Sequence, residues 1–176
     1  MKFEKLMKVI IAALFTAIVC VATYIVQIPM PATGGFVNLG DCFVLTAGFL
    51  LGPVYGGIAA GLGSMLTDIL AGYPQYAPAT FIIKALMAVI FYFVTKALSQ
   101  KNSFVSKIVG GIAAEAVMVL GYFGYEAVIL KYGIGAAGSI LGNVGQGVVG
   151  LIAATVLCTT LNAAIKRSKA LSSILK

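Results

Sequence analysis

Long apolar runs, interrupted at intervals by glycine, proline or charge, dominate this chain, and each is near the length that crosses a bilayer as a helix. Six such runs are predicted. The first extends from about Lys8 to Gln27 and breaks at "IPMPATGG". Its apolar stretch, about 18 residues, is longer than the roughly 7 to 15 of a signal-peptide core, so a mature helix is expected rather than a cleaved leader. The second, from about Leu39 to Leu51, is short and ends at Gly52-Pro53, which predicts a tilted helix or one shielded by protein at one end. The third spans Pro53 to Gly72 and the fourth Pro78 to Leu98, each opening on a proline at the helix start. After "SQKNSFVSK" the fifth runs from about Lys107 to Leu130, and the sixth from about Ser139 to Ile165 before the tail "KRSKALSSILK".

The few charges between these runs orient them. With the N-terminus inside, Lys2, Lys5, Lys8, Lys96, Lys101, Lys107, Lys166, Arg167, Lys169 and Lys176 share one side. The other side receives only Lys131, and Lys84 lies within a span. That asymmetry is a positive-inside signal and predicts two cytoplasmic termini and an external "YPQY" turn. The net charge of +7 is therefore a topology signal, not a nucleic-acid footprint.

Composition adds the class. A chain of 176 residues that is 61% hydrophobic, with a mean hydropathy of +1.07 and 21 glycines, is expected to be an all-α integral membrane protein. A single six-helix domain over residues 1–176 accounts for the whole length, leaving no room for a soluble domain of useful size. Histidine is absent, and Cys20, Cys42 and Cys158 lack metal-ligand or redox spacing. They read as small apolar residues, and no metal or cofactor is expected.

Polar residues concentrate toward the outer ends. At helical rise, Asp68 and Lys84 fall about 6 and about 9 Å below the outer turn on consecutive antiparallel helices. An ion pair between them is expected, because an isolated charge at that depth costs a few kcal/mol. Either charge could instead meet a ligand. At the same level lie Asn38 and Asp41 in "GGFVNLGD", and Thr67, Tyr73, Gln75 and Tyr76 around the third helix and its turn. Glu115, Tyr122 and Glu126 share one face of the fifth helix, with Glu115 about 12 Å from its inner end. Asn143 and Gln146 stand about one turn apart in the sixth, either as glue between helices or as readers of donor and acceptor atoms. An outer cup lined by tyrosine, amide and carboxylate suits a small, flat, polar aromatic molecule.

Two small-residue stripes concern packing. Gly57, Gly61 and Ser64 lead along one helix face to Asp68, as a groove for a neighbouring helix. Ala13 and Ala17 form an AxxxA pair near the inner end of the first helix. The phosphate-loop pattern G-x-x-x-x-G-K-S/T, H-E-x-x-H and G-x-S-x-G are all absent, so neither ATP hydrolysis by this chain nor a membrane hydrolase is expected. A visible inverted repeat of broken helices is missing as well. What remains is a binder without an engine.

The stretch "GGFVNLGDCFVLTAGFLLGPVYGGIAAGLGSMLTDILAGYPQYAPATFIIKALMA", Gly34 to Ala88, together with Ala13 and Ala17, resembles the substrate-binding S components of energy-coupling factor (ECF) transporters, the prokaryotic vitamin importers. Within that family it looks most like the hydroxymethylpyrimidine or pyridoxine branch; the riboflavin branch shares the general plan. The resemblance implies a six-helix fold in the plasma membrane with both termini inside. It also implies a vitamin site under the outer loops, and docking through small residues of the first helix, here Ala13 and Ala17, on a transmembrane coupling subunit. Two ATPase subunits would then topple the S component to deliver its cargo.

The expected ligand is a pyrimidine or pyridine alcohol. Tyr73, Tyr76 or Tyr122 would stack on it, and Asn38, Gln75, Asn143 and Gln146 would hydrogen-bond it. Asp41, Glu126 and Lys84 would supply charge. The alternatives within the class are riboflavin and thiamin. A standalone channel or exporter, which would need a continuous polar path, and a structural membrane protein are the alternatives outside it.

Overall fold

A computed structural model describes residues 2–100 and 103–167 of the chain. Lys101, Lys169 and Lys176, counted above as inner charges, lie outside the described residues. Helix α1 (Lys2–Ile25) leads into strands β1 (Gln27–Met30) and β2 (Gly35–Asn38). Helices α2 (Asp41–Leu70), α3 (Ala77–Leu98), α4 (Ser103–Gly124) and α5 (Ile140–Arg167) follow. A wide π turn, Tyr125–Ile129, extends α4, and a 3-10 segment, Gly133–Ser139, leads into α5. Among the described residues, five helical stretches are long and apolar enough to cross a membrane.

The second and third expected spans appear as the single element α2, broken at Gly52, whose φ of 78° and ψ of −176° lie where only glycine is at ease. The break is a fold-back and not a bend. A Cβ placed on Gly56 would stand 2.4 Å from the carbonyl oxygen of Ala47, so the chain after Gly52 returns along the segment before it. A straight helix would hold Asp41 and Asp68 about 40 Å apart, yet the Lys84 ammonium bonds Asp41 while Lys84 and Asp68 line one cavity. Pro53 begins the returning segment, where its missing N–H costs nothing.

The "IPMPATGG" segment, expected to be a loop, is an antiparallel hairpin pairing Gln27 with Asn38 and Met30 with Gly35. Four-residue strands are too short to display an alternating pattern, and Pro29 argues against a strand except in an edge position, which a two-stranded ribbon provides. Helix α1 begins at Lys2, earlier than the expected Lys8, and α4 begins at Ser103 rather than Lys107. In both cases short polar segments continue the helix beyond the apolar run.

Val44, Leu45, Ala60, Met87, Ala88, Phe91, Ala114, Met118 and Ala154 form the buried core. Large apolar side chains such as Leu14, Ile82, Leu120 and Ile152 face outward, as a lipid solvent allows. The Gly57–Gly61 stripe meets α3, where a Cβ on Gly61 would lie 2.7 Å from the Phe81 carbonyl oxygen. Helix α1 is peripheral and packs on the returning half of α2; the Thr67 hydroxyl donates to the Cys20 carbonyl at 3.0 Å. Ala13 and Ala17 are exposed on its outer face. Lys8, Gly52, Lys96, Ser103 and Asn162 line two clefts that share Phe49 and Tyr92 at one end of the bundle. The carboxylates Asp41, Asp68 and Glu126 gather around the hairpin and tyrosine turn at the other end.

Candidate functional site

The hairpin and the ends of α1, α2, α3, α4 and α5 nearest it close around a cavity. Its walls enclose about 440 Å³ free of atoms, part of it continuous with the outside, of which the centre of a water molecule can reach about 30 Å³. Seven residues picked out by depth in the sequence line it: Asn38, Tyr76, Lys84, Tyr122, Glu126, Asn143 and Gln146. Lys84, though four-fifths aliphatic in length, is 2% exposed and fixed inside the bundle rather than extended toward water.

Beneath the cavity lies a buried charge network. Lys84 bonds Asp41, not Asp68 as the depth argument expected. Asp41 is wholly buried in the first turn of α2, where the helix dipole favours a carboxylate. The Gln146 side-chain amide donates to its second oxygen at 2.6 Å, and the Asn38 backbone N–H donates to the Gln146 oxygen at 2.6 Å. Asp41 and Asp68 stand at similar depth, as the sequence suggests, and of the two Lys84 bonds Asp41. Asp41, expected to touch ligand, is absent from the lining and acts as the brace.

Glu126 ties together the connections at this end of the bundle. It accepts from the Tyr76 hydroxyl at 3.2 Å and from the Ser139 hydroxyl. Tyr76 lies 2.8 Å from the Thr33 carbonyl oxygen at the tip of the hairpin. The turn before α3, the hairpin and the α4–α5 connection thus meet at one carboxylate. Burial and the nearby Glu126 charge push the Tyr76 phenol above its ordinary pKa, so it remains a neutral donor at physiological pH. The Thr80 and Tyr122 hydroxyls are 3.0 Å apart on the same wall.

Two expected residues stand elsewhere. Tyr73 packs against Phe36, with ring centroids 5.0 Å apart, and does not line the cavity. The Gln75 side chain is exposed, and only its backbone carbonyl is engaged, by the Tyr125 hydroxyl. Both follow from the tightness of the Tyr73–Ala77 turn, which points Tyr76 inward and its neighbours out. Conversely, Thr23, Met30, Phe36, Ser64 and Thr80 line the cavity without having been selected. Ser64 carried a signal, one helical turn before Asp68 on the same face; Thr23 carried none, since a lone threonine in a membrane helix usually bonds its own backbone.

Among the described residues, several buried polar atoms find no partner in the protein, and four of them are on this wall: Thr23 Oγ1, Ser64 Oγ, Asp68 Oδ2 and Asn143 Nδ2. Buried polar atoms are rarely left unmatched, so their concentration in one cavity marks it as built to bind. Glu115 also has two unmatched oxygens; it lies deeper, against Gly147 and Gly150 of α5, where a Cβ on Gly150 would touch both Glu115 and Asp41.

A family model described as "ECF-type riboflavin transporter, S component" matches residues 3–163. The chain belongs to the S components of ECF-type transporters. A solved structure, described as that of the S component of a bacterial ECF transporter, superposes with a TM-score of 0.70 at 29% identity, covering 90% of this chain and 97% of that one. An uncharacterized protein of Pyrococcus woesei is 37% identical over 135 residues, 76% of this chain and 87% of that protein. As an S component the chain is a membrane-embedded substrate-binding subunit of a transporter, and the cavity under the hairpin is its candidate substrate site.

Proposed function

We propose that this S component captures a single-ring heteroaromatic vitamin or vitamin precursor, of the hydroxymethylpyrimidine or pyridoxine type, at the outer face of a prokaryotic plasma membrane. The observation that carries the reading is the set of unmatched buried polar atoms on a wall that also holds Tyr76, Tyr122 and Gln146. Aromatic faces supply apolar contact and the unmatched groups supply direction. The tight cavity favours one ring over three, since a larger ligand requires more of the outer structure to open. Riboflavin is the second reading, favoured by the description of the matching family.

In this proposal the two halves of α2 count as separate spans, giving six, with the lysine-rich end and both termini in the cytoplasm. The exposed Ala13–Ala17 face of α1 docks on a transmembrane coupling subunit, and two ATPase subunits drive toppling. Calorimetry of the purified chain with hydroxymethylpyrimidine, pyridoxine, thiamin and riboflavin tests the substrate class. A 1:1 complex with Kd below about 1 µM, or roughly −8 kcal/mol, is expected for a single-ring ligand. Binding of none of the four discards the vitamin reading. Replacing Ala13 and Ala17 together by leucine is expected to abolish uptake and co-purification of the coupling subunit while ligand binding persists; unchanged uptake removes the docking assignment.

A further inference from the structure

The wall of the cavity formed by α1 and the returning half of α2 holds three of the unmatched oxygens. Ser64 and Asp68 stand one helical turn apart on α2, and Thr23 faces the same space from α1, about one turn beyond the point where Thr67 ties the two helices together. All three are at least 95% buried, and each has an oxygen without a partner. Asp68 was expected to be occupied by Lys84. With Lys84 committed to Asp41, Asp68 presents a buried carboxylate oxygen to the cavity.

The surrounding charge is unbalanced in one direction. Asp41, Asp68 and Glu126 are all buried around this end of the bundle, and among the described residues Lys84 is the one buried cation beside them. A buried anion without a compensating partner is costly, and a ligand that brings a hydrogen-bond donor or a positive charge relieves that cost. A ligand that brings a carboxylate or phosphate adds to it. Asn143, reaching the cavity from α5, has an unmatched Nδ2 donor. It calls for an acceptor on the ligand.

We infer that Asp68, with Ser64 and Thr23, forms a subsite that receives an amino or ring N–H group, so that the ligand is a neutral or cationic ring with a donor for this wall and an acceptor for Asn143, and anionic vitamins are rejected. This deepens the proposed function and rests on it. Lys84 then has a second effect: by pairing with Asp41 it leaves Asp68 free to select.

Pyridoxamine, pyridoxine and 4-pyridoxate test it, because they differ at one ring substituent: amine, hydroxyl or carboxylate. On the purified wild-type chain, calorimetry is expected to rank amine at or above hydroxyl, with the carboxylate at least about tenfold weaker than the amine. For whichever of these three, hydroxymethylpyrimidine, thiamin or riboflavin binds the wild type most tightly, Asp68→Asn is expected to weaken binding at least about tenfold, because it removes the charge while preserving the shape. Asp68→Glu should retain part of that affinity. Equal binding of amine and carboxylate, or Asp68→Asn within about twofold of wild type, overturns the subsite. If Asp68→Asn fails to purify as a folded protein, the wild-type ranking of the three vitamers decides alone. Binding of no compound defeats the vitamin reading itself, a different outcome from a bound ligand indifferent to Asp68.

Discussion

Lys84 shows how a single residue can hold a membrane site together. Its ammonium satisfies Asp41, and Asp41 in turn holds Gln146, which receives the Asn38 backbone. Replacing Lys84 by methionine leaves Asp41 buried and without its counter-ion, a change expected to cost about 3–5 kcal/mol, read as a loss of thermal stability in detergent. Adding Asp41→Leu to that variant should recover most of the loss, whereas adding Asp68→Leu should not. Recovery by the Asp68 change instead would return the pair to the arrangement the sequence suggested. Depth along a helix cannot tell which of two equally deep carboxylates a lysine reaches. The choice is made by how α3 packs across the two halves of α2, which depth alone does not encode.

At the scale of elements, hydropathy made the apolar runs legible because a helix in lipid must carry its apolar signal around nearly its whole circumference. The hairpin was not legible, since strands of four residues are too short to display a period. The break at Gly52-Pro53 was readable as the boundary between the second and third spans, and the chain does return on itself there. Gly52→Ala places a side chain in a backbone region it disfavours and is expected to destabilise the protein by about 1–3 kcal/mol, measured by thermal unfolding. Because Asp41 precedes the break and Asp68 follows it, the same variant should also weaken ligand binding. A Gly52→Ala chain with wild-type melting and wild-type affinity would mean that the two halves of α2 are held in register by α3 alone.

For the whole molecule, seven of ten expected ligand-facing residues meet in one cavity because a small bundle has few places to bury polar groups, and depth alone sorts most of them. The threonine and serine on the walls escaped notice because their hydroxyls are ordinary in membrane helices. The orientation can be checked with single cysteines introduced after Cys20, Cys42 and Cys158 are replaced by alanine. Gln75→Cys, at an exposed position on the cavity end, should react with an impermeant thiol reagent in intact cells, and Ser99→Cys, exposed at the lysine-rich end, only after permeabilisation. The reverse pattern inverts the molecule and removes the outward-facing receptor.

The Glu126 junction has a kinetic corollary. A ring cannot diffuse into a space that admits little more than water while Tyr76 and Ser139 remain tied through that carboxylate and the Thr33 carbonyl remains tied to the Tyr76 hydroxyl. Association should therefore proceed through a prior opening, and the observed rate in stopped-flow mixing should plateau with vitamin concentration instead of rising linearly. Tyr76→Phe, by severing two of those ties, should raise the plateau and shorten the residence time together, making the protein a quicker but leakier trap.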